Sequence, residues 1–417
     1  MFSPIPHAAS QRVMTARPSF DAIFSYGFRP FFLGSAVYAA LAMGIWIAWI
    51  GATSSGWPGS WLPVAGSPFA WHAHEMVFGF AAAAIGGFLL TAVPNWTGAL
   101  PLSGPPLIFL FMMWLIGRVA MGFSALLPYP LVAALDVAFL PILGGFAARQ
   151  LFVRPAPRNL VFLVLVAALT LCNLAFHAGN GDYLAIDPVG AIRASVLFVI
   201  VMVAIVGGRI IPAFTHNWLH GNRPTAQRPQ RIVWLDIASL LSLAVFALLY
   251  AAGAGGWLAG AAALIAAAFN CARLVLWRGL STRREPIVWI LHLGYAWIVV
   301  GLALSAVAEF TGLVPTAVVT HALGTGAIGT MIMAVMSRAS LGHTGRRLIA
   351  PRRIVWAYYL LTAAALLRVA GPMLASDIYA ATLAAAGLLW IGAFLLFTLV
   401  YAPILTTPRV HTKVARG

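Results

Sequence analysis

The sequence predicts an all-α, polytopic membrane protein of about twelve transmembrane helices with both termini cytoplasmic, and three observations predict it. Hydrophobic residues make up 62% of the 417-residue chain and charged residues 8%, against roughly 25% charge in a soluble domain. A hydrocarbon core about 30 Å thick is crossed by roughly 20 helical residues, and apolar runs of that length follow one another from Phe31 to Tyr401. Arginines gather at alternate connections between those runs.

The first thirty residues contain Pro4, Pro6, Pro18 and scattered arginines, with no apolar stretch long enough for a signal-peptide core, so 1–30 reads as a retained cytoplasmic tail. Spans are expected at 31–50, 71–93, 106–123, 131–149, 159–177, 191–211, 232–251, 256–276, 287–309, 315–336, 354–371 and 378–401. Gly and Pro mark the short connections, as at Gly56 to Pro58, Pro101 to Pro106, Pro128 to Pro130 and Gly371-Pro372. The spans form one membrane domain over 31–403, followed by a cytoplasmic tail over 404–417, without a convincing repeat.

With the first tail inside, one face receives Arg12, Arg17 and Arg29, then arginine clusters at 149–158, 223–231, 278–284 and 338–353, and finally Arg409, Lys413 and Arg416. These are 20 of the 25 cations, and Arg209 and Arg273 lie near the same face. Only Arg118, Arg193 and Arg368 fall in outer halves, so the positive-inside rule sets the orientation. Removing one span would scatter the clusters over both faces, which favours twelve over eleven. Topology thus accounts for the net charge of +16, and no soluble basic domain suggests nucleic acid. Cys172 and Cys271 fall in different helices and no Cys-x-x-Cys-His run exists, so any haem would be non-covalent.

A charged side chain at bilayer depth costs at least about 2.5 to 3.5 kcal/mol, which makes ionisable groups in the spans functional candidates. Near the outer face lie His72, His74, Glu75, Arg118, His177, Arg193, Glu309 and His321; toward the inner face lie Arg209, His216, His220, His292 and His343. His7 and His411 fall in the tails. At 100° per residue His72 and His74 diverge while His72 and Glu75 share a face, so the two histidines suit adjacent sites rather than one ion. The plainer reading of this run is a polar helix start.

Pro315 and Pro286 read as helix starts that place His321 below the outer surface and His292 above the inner one, in different sites. Burial keeps an unassisted imidazole neutral, and neutral imidazole ligates haem iron and copper; a helix-to-helix hydrogen bond is the ordinary alternative. Arg118 and Arg193 suit haem propionates, or else pair with Glu75 or Glu309. Arg209 binds an anionic group or snorkels to the inner surface. The pairs at Gly86, Gly144 and Gly207 mark close helix contacts more readily than a flat cofactor. His216 and His220 follow Pro212 and are read as a hydrated loop, and His343 as part of a turn beside the membrane.

At Phe28-Arg29-Pro30-Phe31-Phe32, Trp71 to Gly79, Thr91 to Gly98, Gly207 to Pro212, Leu291 to Trp297, His321 to Met331 and Ser337 to Arg346 the chain resembles the NnrS family of bacterial membrane proteins. The resemblance spans nearly the whole chain. It implies a multi-pass protein of the bacterial inner membrane that carries haem b and copper and serves denitrification or defence against nitric oxide. By motif match it makes His72, His74, His177, His292, His321 and His343 metal-ligand candidates, without assigning any of them to one metal.

The leading functional reading is a protein that binds or reduces nitric oxide or otherwise limits nitrosative damage. A nitric oxide reductase-like enzyme would draw electrons from quinol or another donor and need two metal centres close together. A proton-coupled secondary transporter is the main alternative, since twelve spans with buried ionisable groups also describe that class. A metal-dependent sensor or assembly factor is the third.

Overall fold

The computed structural model describes residues 17–373 and 379–410; His7, His411, Arg12, Lys413 and Arg416 lie outside them. Among the described residues, twelve helices are long and apolar enough to cross a membrane. In chain order they are α1 Phe28–Ser54, α2 Pro68–Thr97, α3 Pro105–Gly122, α4 Tyr129–Leu151, α5 Pro157–Asn180 and α6 Pro188–Asn222. The second half comprises α7 Val233–Ala251, α8 Gly256–Leu276, α9 Pro286–Thr311, α10 Thr316–His343, α11 Arg352–Met373 and α12 Tyr379–Leu405. Each expected span falls on one of these helices.

Local chemistry explains where the helices begin and end. Proline occupies the opening turn of α2, α3, α4, α5, α6 and α9, where its missing N–H leaves no bond unmade. Ser67 and Asp187 cap α2 and α6 by accepting from the Phe69 and Val189 amides. Left-handed glycines, Gly98 at φ 75° and Gly312 at φ 66°, stop α2 and α9. One expectation is corrected here. α6 does not end at 211 but passes through Pro212 to Asn222, so His216 and His220 stand on exposed helical turns rather than in a loop, their rings stacked at 6.3 Å. Neighbouring helices restore bonds that a proline removes, which makes such a passage tolerable inside a bundle.

The first and last of the described residues meet on one face, as an even number of crossings requires. The Ser19 amide donates to the Thr406 carbonyl at 2.9 Å, and the buried Arg29 guanidinium donates to the Leu405 and Thr407 carbonyls at 2.8 and 2.6 Å. This is the terminal face; the opposite one is the distal face. Distal connections also touch each other, the Ala125 amide reaching the Pro63 carbonyl at 3.0 Å.

α2, α6 and α10 are the most enclosed helices, with 83%, 72% and 67% of their most apolar stretches buried, whereas α7 has 28% and turns mostly outward. Polar groups on the first three are therefore the ones the fold must satisfy internally. Gly86 and Gly87 give room to Phe31, Phe32 and Phe139, and Gly207 to Tyr295, so these pairs serve helix contact. Gly208 serves Arg273. The Arg273 side chain crosses the space that a Cβ at 208 would fill, donates to Asp236 at 2.7 Å and to the Tyr295 hydroxyl at 2.9 Å, and stacks 5.1 Å from Trp277. Tyr295 in turn donates to Asn270 at 2.6 Å, so one buried cation links α6, α7, α8 and α9. Gly208→Ala should lower stability by about 1–3 kcal/mol through overpacking, read as a reduced midpoint of thermal unfolding in detergent; an unchanged midpoint would show that Arg273 is not clamped there.

Candidate metal and cofactor sites

Two of the enclosed helices widen at matching places. A π-helical segment runs from Glu75 to Ala81 inside α2 and another from Ala322 to Gly329 inside α10. Each begins directly after a candidate histidine, His74 in the first and His321 in the second, and the two segments are in contact. The i→i+5 bonding of a π turn inserts an extra residue and turns the following side chains, and such segments concentrate at functional sites.

His74 and Glu75 head a fully buried ionic cluster in the distal half. The His74 ring places Nδ1 2.8 Å from Glu75 Oε1 and Nε2 3.1 Å from Asp136 Oδ2 and 3.0 Å from Asn173 Oδ1. His177 brings Nε2 to 2.9 Å from Asp136 Oδ2, which also accepts from Asn173 Nδ2 at 2.8 Å. Arg118 donates to both Glu75 oxygens at 2.7 Å and to Asp136 Oδ1, and the Tyr38 hydroxyl donates to Glu75. The cluster therefore joins five helices, α1 to α5. Of the partners set out for Arg118, the structure shows Glu75, joined by Asp136.

Two chemistries satisfy this cluster. Every group facing the His74 nitrogens is an acceptor, so a ring that meets them all carries two N–H groups, and its charge with that of Arg118 balances the two carboxylates. Alternatively a cation replaces the inner proton. His74, Asp136 and His177 each offer a ligand atom within 4.8 Å of the others. The outward nitrogens are already oriented, His74 Nδ1 by Glu75 and His177 Nδ1 by the Tyr129 hydroxyl at 3.1 Å, as the histidines of metal sites usually are.

His72 faces away from this cluster. Its ring stacks on Trp46 at 4.5 Å, and its buried Nδ1 has no hydrogen-bond partner among the described residues. His321 donates through Nδ1 to the Ala317 carbonyl at 2.6 Å, which leaves Nε2 its lone pair. Both histidines line a cavity of about 100 Å³ between the π segments, with Met43, Met76, Thr325 and Trp390 in its wall. Arg368 and His321 share an adjoining smaller cavity.

A larger cavity of about 420 Å³ opens toward the terminal face. Phe32, Phe88, Trp96 and Phe214 make it apolar, while Arg209, Arg338 and His343 bring polar groups to its wall. Arg209 is held by Asn159 Oδ1 at 3.0 Å and the Arg158 carbonyl at 2.7 Å, and Arg338 lies 3.7 Å over the Phe214 ring. His343 is the last residue of α10 rather than part of a turn, packed near Tyr26 and Phe28. Burial raises the Tyr26 phenol above its ordinary range.

The remaining candidates lie apart. His292 accepts or donates to Thr215 Oγ1 at 2.8 Å and rests against Gly279 on the terminal side, away from the cavity of His321. Arg193 and Glu309 line a distal pocket with Ser305, Thr316 and Thr320, and the Glu309 carboxylate accepts from the Gly256 amide at 2.6 Å. Asp136, Asn173 and Tyr38 were missed by the sequence reading. For Asp136 a signal existed: it is an acidic residue inside an apolar span and carries the insertion cost that singled out Glu75. Asn173 and Tyr38 had none, because uncharged polar residues are ordinary in membrane helices.

A family model described as NnrS protein matches residues 22–409 of the 417, and the chain belongs to the NnrS family. No curated protein matches the chain.

Arg118→Met should destabilise the protein by about 3–5 kcal/mol, since it strands two buried carboxylates. Arg118→Met combined with Glu75→Gln and Asp136→Asn should recover most of that loss. Thermal unfolding of the two variants side by side checks this, and equal midpoints would refute the charge-balance account.

Proposed function

We propose that this protein is a haem- and copper-bearing protein of the bacterial inner membrane that binds or reduces nitric oxide, with copper held at the cavity between the two π segments. The observation that carries this reading is the meeting of His72 and His321 at one small cavity. Family membership supports a role in nitric oxide metabolism, and the donor chemistry supports the metals.

The residues present fit both groups. Imidazole and thioether donors suit copper, and the cavity between the π segments offers His72, His321, Met43 and Met76. A b-type haem needs apolar walls, an imidazole ligand and cations for its carboxylates; the terminal-side cavity would offer aromatic rings, His343, Arg209 and Arg338. Bound iron and copper would supply nitric oxide coordination and electron exchange. His74, Asp136 and His177 provide a further N- and O-donor set that suits a harder divalent cation.

The chain's own residues would do the rest. Trp46 and the Ala317 carbonyl fix the two imidazole planes, and Trp390 and Phe80 give the cavity an apolar wall. Arg209 and Arg338 hold anionic groups at the terminal face, where Asn159 and Phe214 orient them. Reduction of two nitric oxide molecules to nitrous oxide and water consumes two electrons and two protons, so quinol or another membrane donor is the expected partner.

The test is purification from cofactor-replete cells, metal analysis, and optical spectra of the oxidised and reduced protein with and without nitric oxide. A haem spectrum that shifts with nitric oxide, together with stoichiometric copper, is expected. His321→Ala should lose copper and keep the haem bands, and His343→Ala the reverse. Protein free of iron and copper would overturn the reading and favour proton-coupled transport. We also expect both termini in the cytoplasm: a C-terminal green fluorescent protein fusion should fluoresce and a C-terminal alkaline phosphatase fusion should be inactive, and the opposite pair of results would invert the topology.

A further inference from the structure

The geometry points to an aqueous vestibule that links the distal surface to the His72 and His321 cavity, with Glu309 as the proton-exchanging group at its mouth and Thr320 at its inner end. The inference rests on the reading of that cavity as a reaction site. Two observations carry it.

The first is a shared wall. The distal pocket and the histidine cavity both include Val196 and Thr320, so one residue of α6 and one of α10 border both spaces. His321 follows Thr320 directly. The second is the polarity of the distal pocket. Arg193 from α6, Tyr250 from α7, Glu309 and Ser305 from α9, and Thr316 and Thr320 from α10 converge there. Arg193, Tyr250 and Glu309 are the titratable groups facing this space.

Their chemistry fits water and protons rather than a larger solute. The pocket holds about 50 Å³, room for a water or two but not for an organic substrate. Glu309 accepts the Gly256 amide through Oε2, which leaves Oε1 to exchange a proton with water in the pocket. The Thr320 hydroxyl donates to the Thr316 carbonyl at 2.9 Å and keeps its oxygen lone pairs to accept from water, so Thr320 can anchor the inner end of a water chain that runs from Glu309 past Thr316 to the imidazole cavity. Nitric oxide itself is apolar enough to arrive through lipid, whereas protons need such a path.

Two measurements test this. Thr316→Cys and Thr320→Cys, each purified in detergent, are treated with a small cationic methanethiosulfonate that reacts with water-exposed thiolate, and modification is followed by mass spectrometry at each cysteine. The vestibule requires Thr320→Cys to react within about tenfold of Thr316→Cys, and adding Ser305→Phe to slow Thr320→Cys at least about tenfold. A Thr320→Cys that stays unmodified while Thr316→Cys reacts overturns it. In the second measurement Glu309→Gln should lower nitric oxide turnover at least about tenfold while the haem and copper content and the nitric-oxide-bound spectrum stay unchanged; unaltered turnover removes Glu309 from the path. Reactive Thr320→Cys in a protein with no nitric oxide turnover in any form would uphold the vestibule and refute the reaction assigned to the cavity.

Discussion

Two carboxylates buried among apolar helices set the terms for the first half of this protein. Glu75 and Asp136 are fully enclosed, and an uncompensated charge at that depth costs several kcal/mol. Arg118, His74, His177, Asn173 and Tyr38 must therefore converge on them, and each comes from a different helix or a different turn. Satisfying the charges fixes α1 to α5 relative to one another more specifically than apolar packing could, because hydrogen-bond geometry tolerates little displacement. The arrangement is costly to break and has few alternatives.

The same cluster decides what faces the histidine cavity. His72 and His74 are two residues apart on one helix, so holding His74 against Asp136 turns His72 to the other side, toward His321. The π segments that follow His74 and His321 then shift the faces of α2 and α10 where they meet. Small residues on one side, Gly324 and Thr325, and larger ones on the other, Met76 and Phe80, leave a space between the helices instead of closing it. An anchor of charge on one face of α2 thus positions a site on the opposite face, with no residue shared between them.

Polar groups divide by depth in a way that suits a division of labour. The distal half holds the ionic cluster, the histidine cavity and the Arg193–Glu309 pocket; the terminal half holds the larger cavity and the Arg273 clamp. Arginine plays three physical parts across these places. Arg118 neutralises carboxylates, Arg273 joins four helices through a glycine gap, and Arg209 and Arg338 present guanidinium to a cavity of apolar walls. The planar fork of guanidinium, with five donors and a permanent charge, makes all three possible where lysine would serve only poorly.

The sequence by itself determined the class of the fold, the number of crossings and the positions of the helices, because hydrocarbon thickness translates directly into apolar run length and proline marks helix starts. It also determined which ionisable residues needed an explanation, since each stands out in a chain with 8% charge. The separation of His72 from His74 followed from helical periodicity alone. Tertiary structure decided the partners: that Arg118 meets Asp136 as well as Glu75, that His177 and His74 share a carboxylate from α4, and that His321 joins His72 while His292 does not. It also decided that α6 passes through Pro212 and that α2 and α10 widen into π turns. The reason is that these features depend on contacts between residues up to hundreds of positions apart, and no local pattern of hydrophobicity records which faces of twelve similar helices come together.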